Sequence, residues 1–206
     1  FPWQFVPVDH ARMRDHYRSS VWSAYQDYAD TLQATPFVQD LPQVIGLLEQ
    51  GYLPEDAVMC NGNSGDFISG GHIPQAVRVS AAAPLEESCP VSARALYDRH
   101  FQLWQSLRTE DHRERLEALL LRALRRTCAG IEEPVWAHGL YESAEFRDRQ
   151  TKYVVGGQRA YDFLRLEWRL PLWQRSLMDF FARLPLDLKV QQRLYADTLT
   201  HFNWGG

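Results

Sequence analysis

The stretch that most restricts how this chain can fold is a short apolar run, Ala57–Cys60, that breaks directly into Asn61-Gly-Asn-Ser-Gly-Asp-Phe-Ile-Ser-Gly-Gly-His72. An apolar run of this length, entered after Pro54, reads as a buried strand, and the glycines and asparagines that follow stop it in a loop. Beyond that loop strand signals almost vanish. Apolar residues recur at helical spacing over Leu96 to Leu107, Leu116 to Leu124 (closed by Gly130), Ala144 to Leu164 (bent near Gly156 and Gly157), Leu177 to Leu184 and Lys189 to Leu199. Before the loop, Trp3–Val8 alternates as a short strand would. Met13, Tyr17, Val21, Tyr25, Tyr28 and Leu32 form one face of a single long helix ending by Pro36. Asp40 and Gln43 make a capping-box pattern for a further helix, and Gly51 closes it. The expected fold class is α/β, mostly helical.

Hydrophobic residues make up 45% of the 206, enough for a core, while the net charge of -4 gives no electrostatic reason to expect nucleic acid. Cys60, Cys89 and Cys128 are odd in number and far apart, which fits a reducing, cytoplasmic setting better than a disulfide framework. No apolar run is long enough to span a bilayer, so no membrane partner is expected. The chain opens on Phe1 within an apolar stretch, and a fragment, a cleaved chain or a longer parent is expected.

Glycines in the 61–72 stretch would let backbone N–H groups approach an anion, Ser64 adds a hydroxyl, and Asp66 can hold a magnesium ion together with phosphate oxygens. At the carboxyl end of a strand this is where open α/β sheets bind ligands. A tight surface turn has the same composition, and the residues alone leave the two readings open.

The stretch resembles the second motif of asparagine synthetases, Ser-Gly-Glu-Gly-x-Asp-Glu-x-Phe-Gly-Gly-Tyr. Gly62, Asp66, Gly70 and Gly71 match in register, with Asn63, Phe67 and His72 departing from it. Further along, Glu167-Trp-Arg-Leu-Pro-Leu-Trp173 resembles the family's Glu-x-Arg-x-Pro-Phe-Leu-Asp, and Leu184-Pro-Leu-Asp-Leu-Lys189 its Leu-Pro-x-x-Leu-Lys. The pattern is most similar to an asparagine-synthase-related group of ATP pyrophosphatases, over roughly residues 1–200. The resemblance implies a truncated ATP-pyrophosphatase (HUP-like) domain over 1–75 with a helical region over 76–206. It implies an ATP-dependent ligase or amidotransferase, with ATP and Mg2+ as cofactors and a small-molecule substrate, that adenylates a carboxylate and transfers nitrogen to it.

On that resemblance Asp66, Asn63 and Gln158 fall at catalytic positions. Gly62, Ser64, Gly65, Gly70, Gly71, Arg159 and Arg193 fall at nucleotide- or phosphate-binding ones, and Asp66 at the metal. Asn63 and Gln158 stand where the family has carboxylates, although Asp148 or Asp162 could supply the charge if the helix is offset. The family's first motif, Ser-Gly-Gly-x-Asp-Ser, does not occur in the chain. The resemblance places it upstream of Phe1, so a missing N-terminal segment or a second copy is the expected partner. A non-catalytic helical module of the same fold is the alternative. An ATP pyrophosphatase that modifies nucleic acid is a third, disfavoured by the charge. The arginines of 113–126 read as a solvated helix face.

Overall fold

The computed structural model describes residues 3–7, 9–31, 35–54 and 56–204. In chain order it has α1 (His10–Tyr17), α2 (Ser20–Ala29), α3 (Leu41–Glu49), β1 (Val58–Cys60), α4 (Gly65–Ile68), α5 (Leu85–His100), α6 (Glu110–Thr127) and α7 (Ala137–Glu145). A π-helix (Phe146–Val154) then leads through a single 3-10 turn into α8 (Arg159–Phe163), followed by β2 (Glu167–Arg169), α9 (Arg175–Ala182), α10 (Leu186–Lys189) and α11 (Arg193–His201). The chain is a mostly helical α/β protein with one two-stranded parallel sheet. No helix among the described residues is long and apolar enough to cross a membrane.

Two compact units emerge, one of residues 1–65 with 148–179 and one of 66–147 with 180–206. This differs from the expected division at residue 75, because β2 returns to pair with β1. The register is Val58 with Glu167, Met59 with Trp168 and Cys60 with Arg169. The ladder continues as Asn61 N–H donates to the Arg169 carbonyl at 3.1 Å.

In the first unit, Tyr25, Ala29, Leu41 and Ala160 form one buried cluster, and Val44, Tyr161 and Leu166 a second. The Tyr25 hydroxyl donates to the Phe37 carbonyl at 2.5 Å. The expected strand at Trp3–Val8 is absent from the described part: residues 3–7 are irregular, with Trp3 and Phe5 largely exposed, and Val8 lies outside the described residues. Pro7 has no N–H to give a ladder. The single long helix is instead α1 and α2, because Ser19 leaves helical geometry and its side chain accepts the Trp22 N–H at 3.1 Å, starting a new helix. Leu32 lies outside the described residues.

Asp40 occupies the N-cap of α3 as expected but makes no cap bond; its carboxylate accepts from the Tyr161 hydroxyl at 3.1 Å. Gly51 closes α3 as expected, with φ +63 and the paired bonds Gly51 N–H to Leu48 and Tyr52 N–H to Leu47. Val58–Cys60 is a strand, yet not a buried one: its outer residues are exposed, since a sheet of two short strands covers neither face fully.

The second unit has the larger core. Tyr141, Val77, Cys89, Ala137, Ile73 and Ala93 are its most enclosed apolar members, and α5 packs against both α6 and α7. Cys128, which caps α6, is also buried there, while Cys60 of the first unit is exposed. Gly130 has the expected left-handed φ of +85, although α6 stops at Thr127.

Gly70 lies where its backbone turns with φ +95, and a Cβ there would sit 2.3 Å from the Lys189 carbonyl oxygen. Both the conformation and the contact exclude a side chain. Gly70→Ala is expected to lower stability by about 2–4 kcal/mol, read as a drop in urea midpoint at unchanged slope.

Candidate functional site

The glycine-rich stretch folds back on itself. In its first half, which belongs to the first unit, Asn63 N–H donates to the Asn61 side chain at 2.9 Å, and Gly65 N–H to the Gly62 carbonyl at 3.2 Å. Ser64, at the left-handed φ of 70, is buried, and its hydroxyl donates to Gln150 Oε1 at 2.6 Å. In the second half, Gly70 N–H donates to the Phe67 carbonyl and Gly71 N–H to that of Asp66. Several donors expected to face a phosphate are thus used within the turn.

Asp66, the second residue of α4, has a largely exposed carboxylate. Its Oδ1 accepts the Phe67 N–H at 2.9 Å, and its Oδ2 faces His72 Nε2 at 2.9 Å. His72 is buried, and its other nitrogen, Nδ1, faces Glu145 Oε2 at 3.2 Å. Glu145, 1% exposed at the end of α7, is ion-paired through Oε1 with His100 at the end of α5. One chain of charge therefore runs Asp66–His72–Glu145–His100, from solvent through the core of this unit.

The hydrogen bonds from Asp66 and Glu145 outweigh burial and raise the His72 pKa to about 9. At neutral pH it is a cation donating from both nitrogens. Burial works to raise the Glu145 pKa, but the hydrogen bonds from His100 and His72 prevail and hold it at about 2. Beside this chain, Lys189 is buried and meets Glu142 at 2.7 and 2.9 Å. Burial nevertheless pushes the Glu142 pKa above its ordinary value, against the pull of Lys189.

The remaining predicted residues are dispersed. Gln158 is buried in the first unit, where its Nε2 donates to the Val154 carbonyl at 3.2 Å while Oε1 is without a partner. Arg159 donates to the Tyr28 carbonyl and lies over the Tyr28 ring at 4.6 Å. Arg193 is an exposed partner of Asp197 one turn along α11. Glu167 and Arg169 pair with each other at 2.9 Å, both well exposed. Asp66 stands in no group of three or more His, Cys, Asp or Glu side chains arranged for a metal; none exists among the described residues. Its fit to magnesium would rest on one carboxylate already facing a cation.

Sequence reasoning singled out His72 only as a residue near the loop, and missed Glu145, His100 and Gln150. No spacing rule links them; a glutamate and two histidines on separate elements carry no local signature. In comparisons with known proteins, no family model matches the chain, and neither a curated protein nor a solved structure is significantly similar to it.

The two pKa shifts set a pH window. His72, raised from 6.5 to about 9, contributes fully below about pH 6.5, and that contribution is lost as pH rises through 9. Glu145, depressed from 4.5 to about 2, contributes above about pH 4.5 and loses it as pH falls toward 2. Stability is expected to be greatest between those limits and to decline toward pH 9. His72→Gln should lower it by about 2–4 kcal/mol near pH 6, because Glu145 loses the cationic His72 beside it, and should flatten the decline above pH 7. Urea titrations across that range read both effects.

Proposed function

We propose that the chain is the synthetase part of an AMP-forming, ATP-dependent enzyme that activates a carboxylate and joins nitrogen to it, on a truncated ATP-pyrophosphatase fold. The observation that carries this reading is spatial. Segments that resemble the family's motifs are far apart in sequence, yet they meet within their own units. The strand entering the glycine-rich loop pairs with Glu167–Arg169, and Gly70 lies against the Lys189 backbone. A chance likeness of two loops gives no reason for such neighbours.

On this reading Asp66 would hold Mg2+, and His72, held by Glu145, fixes the direction of the Asp66 carboxylate. Magnesium would neutralise the charge that develops as the carboxylate attacks the α-phosphate and pyrophosphate departs. The pyrophosphate-cradling Ser-Gly-Gly-x-Asp-Ser segment is supplied by none of the 206 residues. Adenylation is therefore proposed for these residues together with a polypeptide bearing that segment.

The amides Asn63 and Gln158 bear on the substrate. A buried amide at Gln158 has no charge to desolvate, but it also gives up the attraction that a carboxylate would offer an ammonium group. The acceptor is read as a carboxylate without a free α-ammonium, and asparagine is not the product. The second reading, a non-catalytic helical module of the same fold, is favoured by the self-bonded glycine-rich turn.

The test is pyrophosphate exchange into ATP by the polypeptide that unites both parts, across a panel of carboxylates. Exchange is expected with acceptors lacking the ammonium and is expected to disappear in Asp66→Ala, with the circular dichroism spectrum unchanged. Robust asparagine formation rejects the substrate reading. Exchange that survives Asp66→Ala rejects the metal role, and no exchange with any carboxylate favours the module.

A further inference from the structure

A cleft of about 310 Å3 in the first unit is lined by α8, the π-helix, residues 35–37 and β2. This lies at the small end of ligand sites, which run from about 300 to 1,000 Å3, and offers room for a metabolite of amino-acid size rather than a nucleoside triphosphate. Its apolar walls include Phe37, Val155 and Trp168, and its charged residues are Lys152, Arg159 and Asp162.

Arg159 and Asp162 lie three residues apart on α8, a spacing that puts opposite charges on one helix face and usually pairs them. Here no ion pair joins them, and neither has another ionic partner among the described residues. Each is held by a neutral group instead. The Arg159 guanidinium donates to the Tyr28 carbonyl with the Tyr28 ring 4.6 Å beneath it. The Asp162 Oδ1 accepts from Trp168 Nε1 at 2.8 Å. Both line the same cleft, held by contacts with groups that bear no charge. The third charge, Lys152, is already matched by Asp148.

We propose that this cleft is a binding site for a zwitterionic α-amino acid with an apolar side chain. The ligand's carboxylate meets Arg159, its ammonium meets Asp162, and its side chain lies between Phe37, Val155 and Trp168. A zwitterion supplies both missing partners at once. A simple carboxylate leaves Asp162 unmatched beside it, and a simple amine leaves Arg159 unmatched. Pre-ordering of both side chains lowers the entropic cost of capture. The resemblance set Arg159 at a phosphate position and Asp162 as a substitute carboxylate; the cleft assigns both to an amino acid instead and does not rest on the adenylation reading.

Isothermal titration of the 206-residue chain with L-leucine tests this, with 4-methylpentanoate as the analogue lacking the ammonium and leucinamide as the one lacking the carboxylate. Leucine is expected to bind saturably, and each analogue at least about tenfold more weakly. Asp162→Asn keeps an oxygen to accept from Trp168 and should remove the preference for leucine over 4-methylpentanoate. Arg159→Gln should remove the preference for leucine over leucinamide. Absence of saturable leucine binding overturns the proposal, as does equal binding of leucine and 4-methylpentanoate by the unaltered chain. Discrimination that persists in a folded Asp162→Asn variant overturns it as well.

Discussion

Three parallel residue pairs between β1 and β2 are what make the first unit a unit. They fasten the amino-terminal helices and the loop after β1 to a stretch that arrives only after the whole α5–α7 region has been made. Two short strands are marginal on their own, and parallel pairing is slightly weaker than antiparallel. The helices must therefore supply what the ladder does not. Tyr161 shows how: it is buried beside Val44 and Leu166, while its hydroxyl donates to Asp40 and accepts from Asn61 at 3.4 Å, tying the start of α3 and the end of β1 to α8.

The second unit solves a different problem. A carboxylate as enclosed as Glu145 is tolerable only when charges of opposite sign surround it, because desolvation of an isolated ion costs more than any single contact returns. His72 provides such a charge and is matched in turn by Asp66 nearer the solvent, while His100 meets the other oxygen of Glu145. The geometry of α4, α5 and α7 is thereby coupled through one acidic group, and an apolar core would have left that mutual orientation less defined. The Lys189–Glu142 pair adds a second enclosed charge match in the same unit.

Helices were legible in the sequence where apolar residues recur over several turns, as in α3, α6, α9 and α11; the run Leu96 to Leu107 instead falls across the end of α5 and a separate 3-10 segment, Gln102–Leu107. Helices were misread where a polar residue changed the local geometry. Ser19 splits the long helix because its hydroxyl captures an N–H that the start of a new helix would otherwise leave unsatisfied, an outcome that periodicity does not register. β2 escaped notice because Glu167 and Arg169, its outward residues, are charged and only Trp168 faces inward. The strand leading into the glycine-rich loop was legible, whereas α4 forms inside the stretch read as loop. The strand's burial was not, since that depends on how many strands join it. Within the candidate site, Asp66 and His72 lie six residues apart and could be read together. Glu145 and His100 could not, because their proximity is a product of tertiary packing alone.

The distribution of thiols gives the molecule built-in reporters of its own breathing. Cys60 stands exposed at the end of β1, whereas Cys89 is fully enclosed and Cys128 almost so. Burial and the nearby Cys128 also raise the Cys89 pKa, which further suppresses its thiolate. An alkylating reagent thus meets one sulfur at once and reaches the other two only through opening of the helical core, so the lag between first and later modification clocks how often that core comes apart.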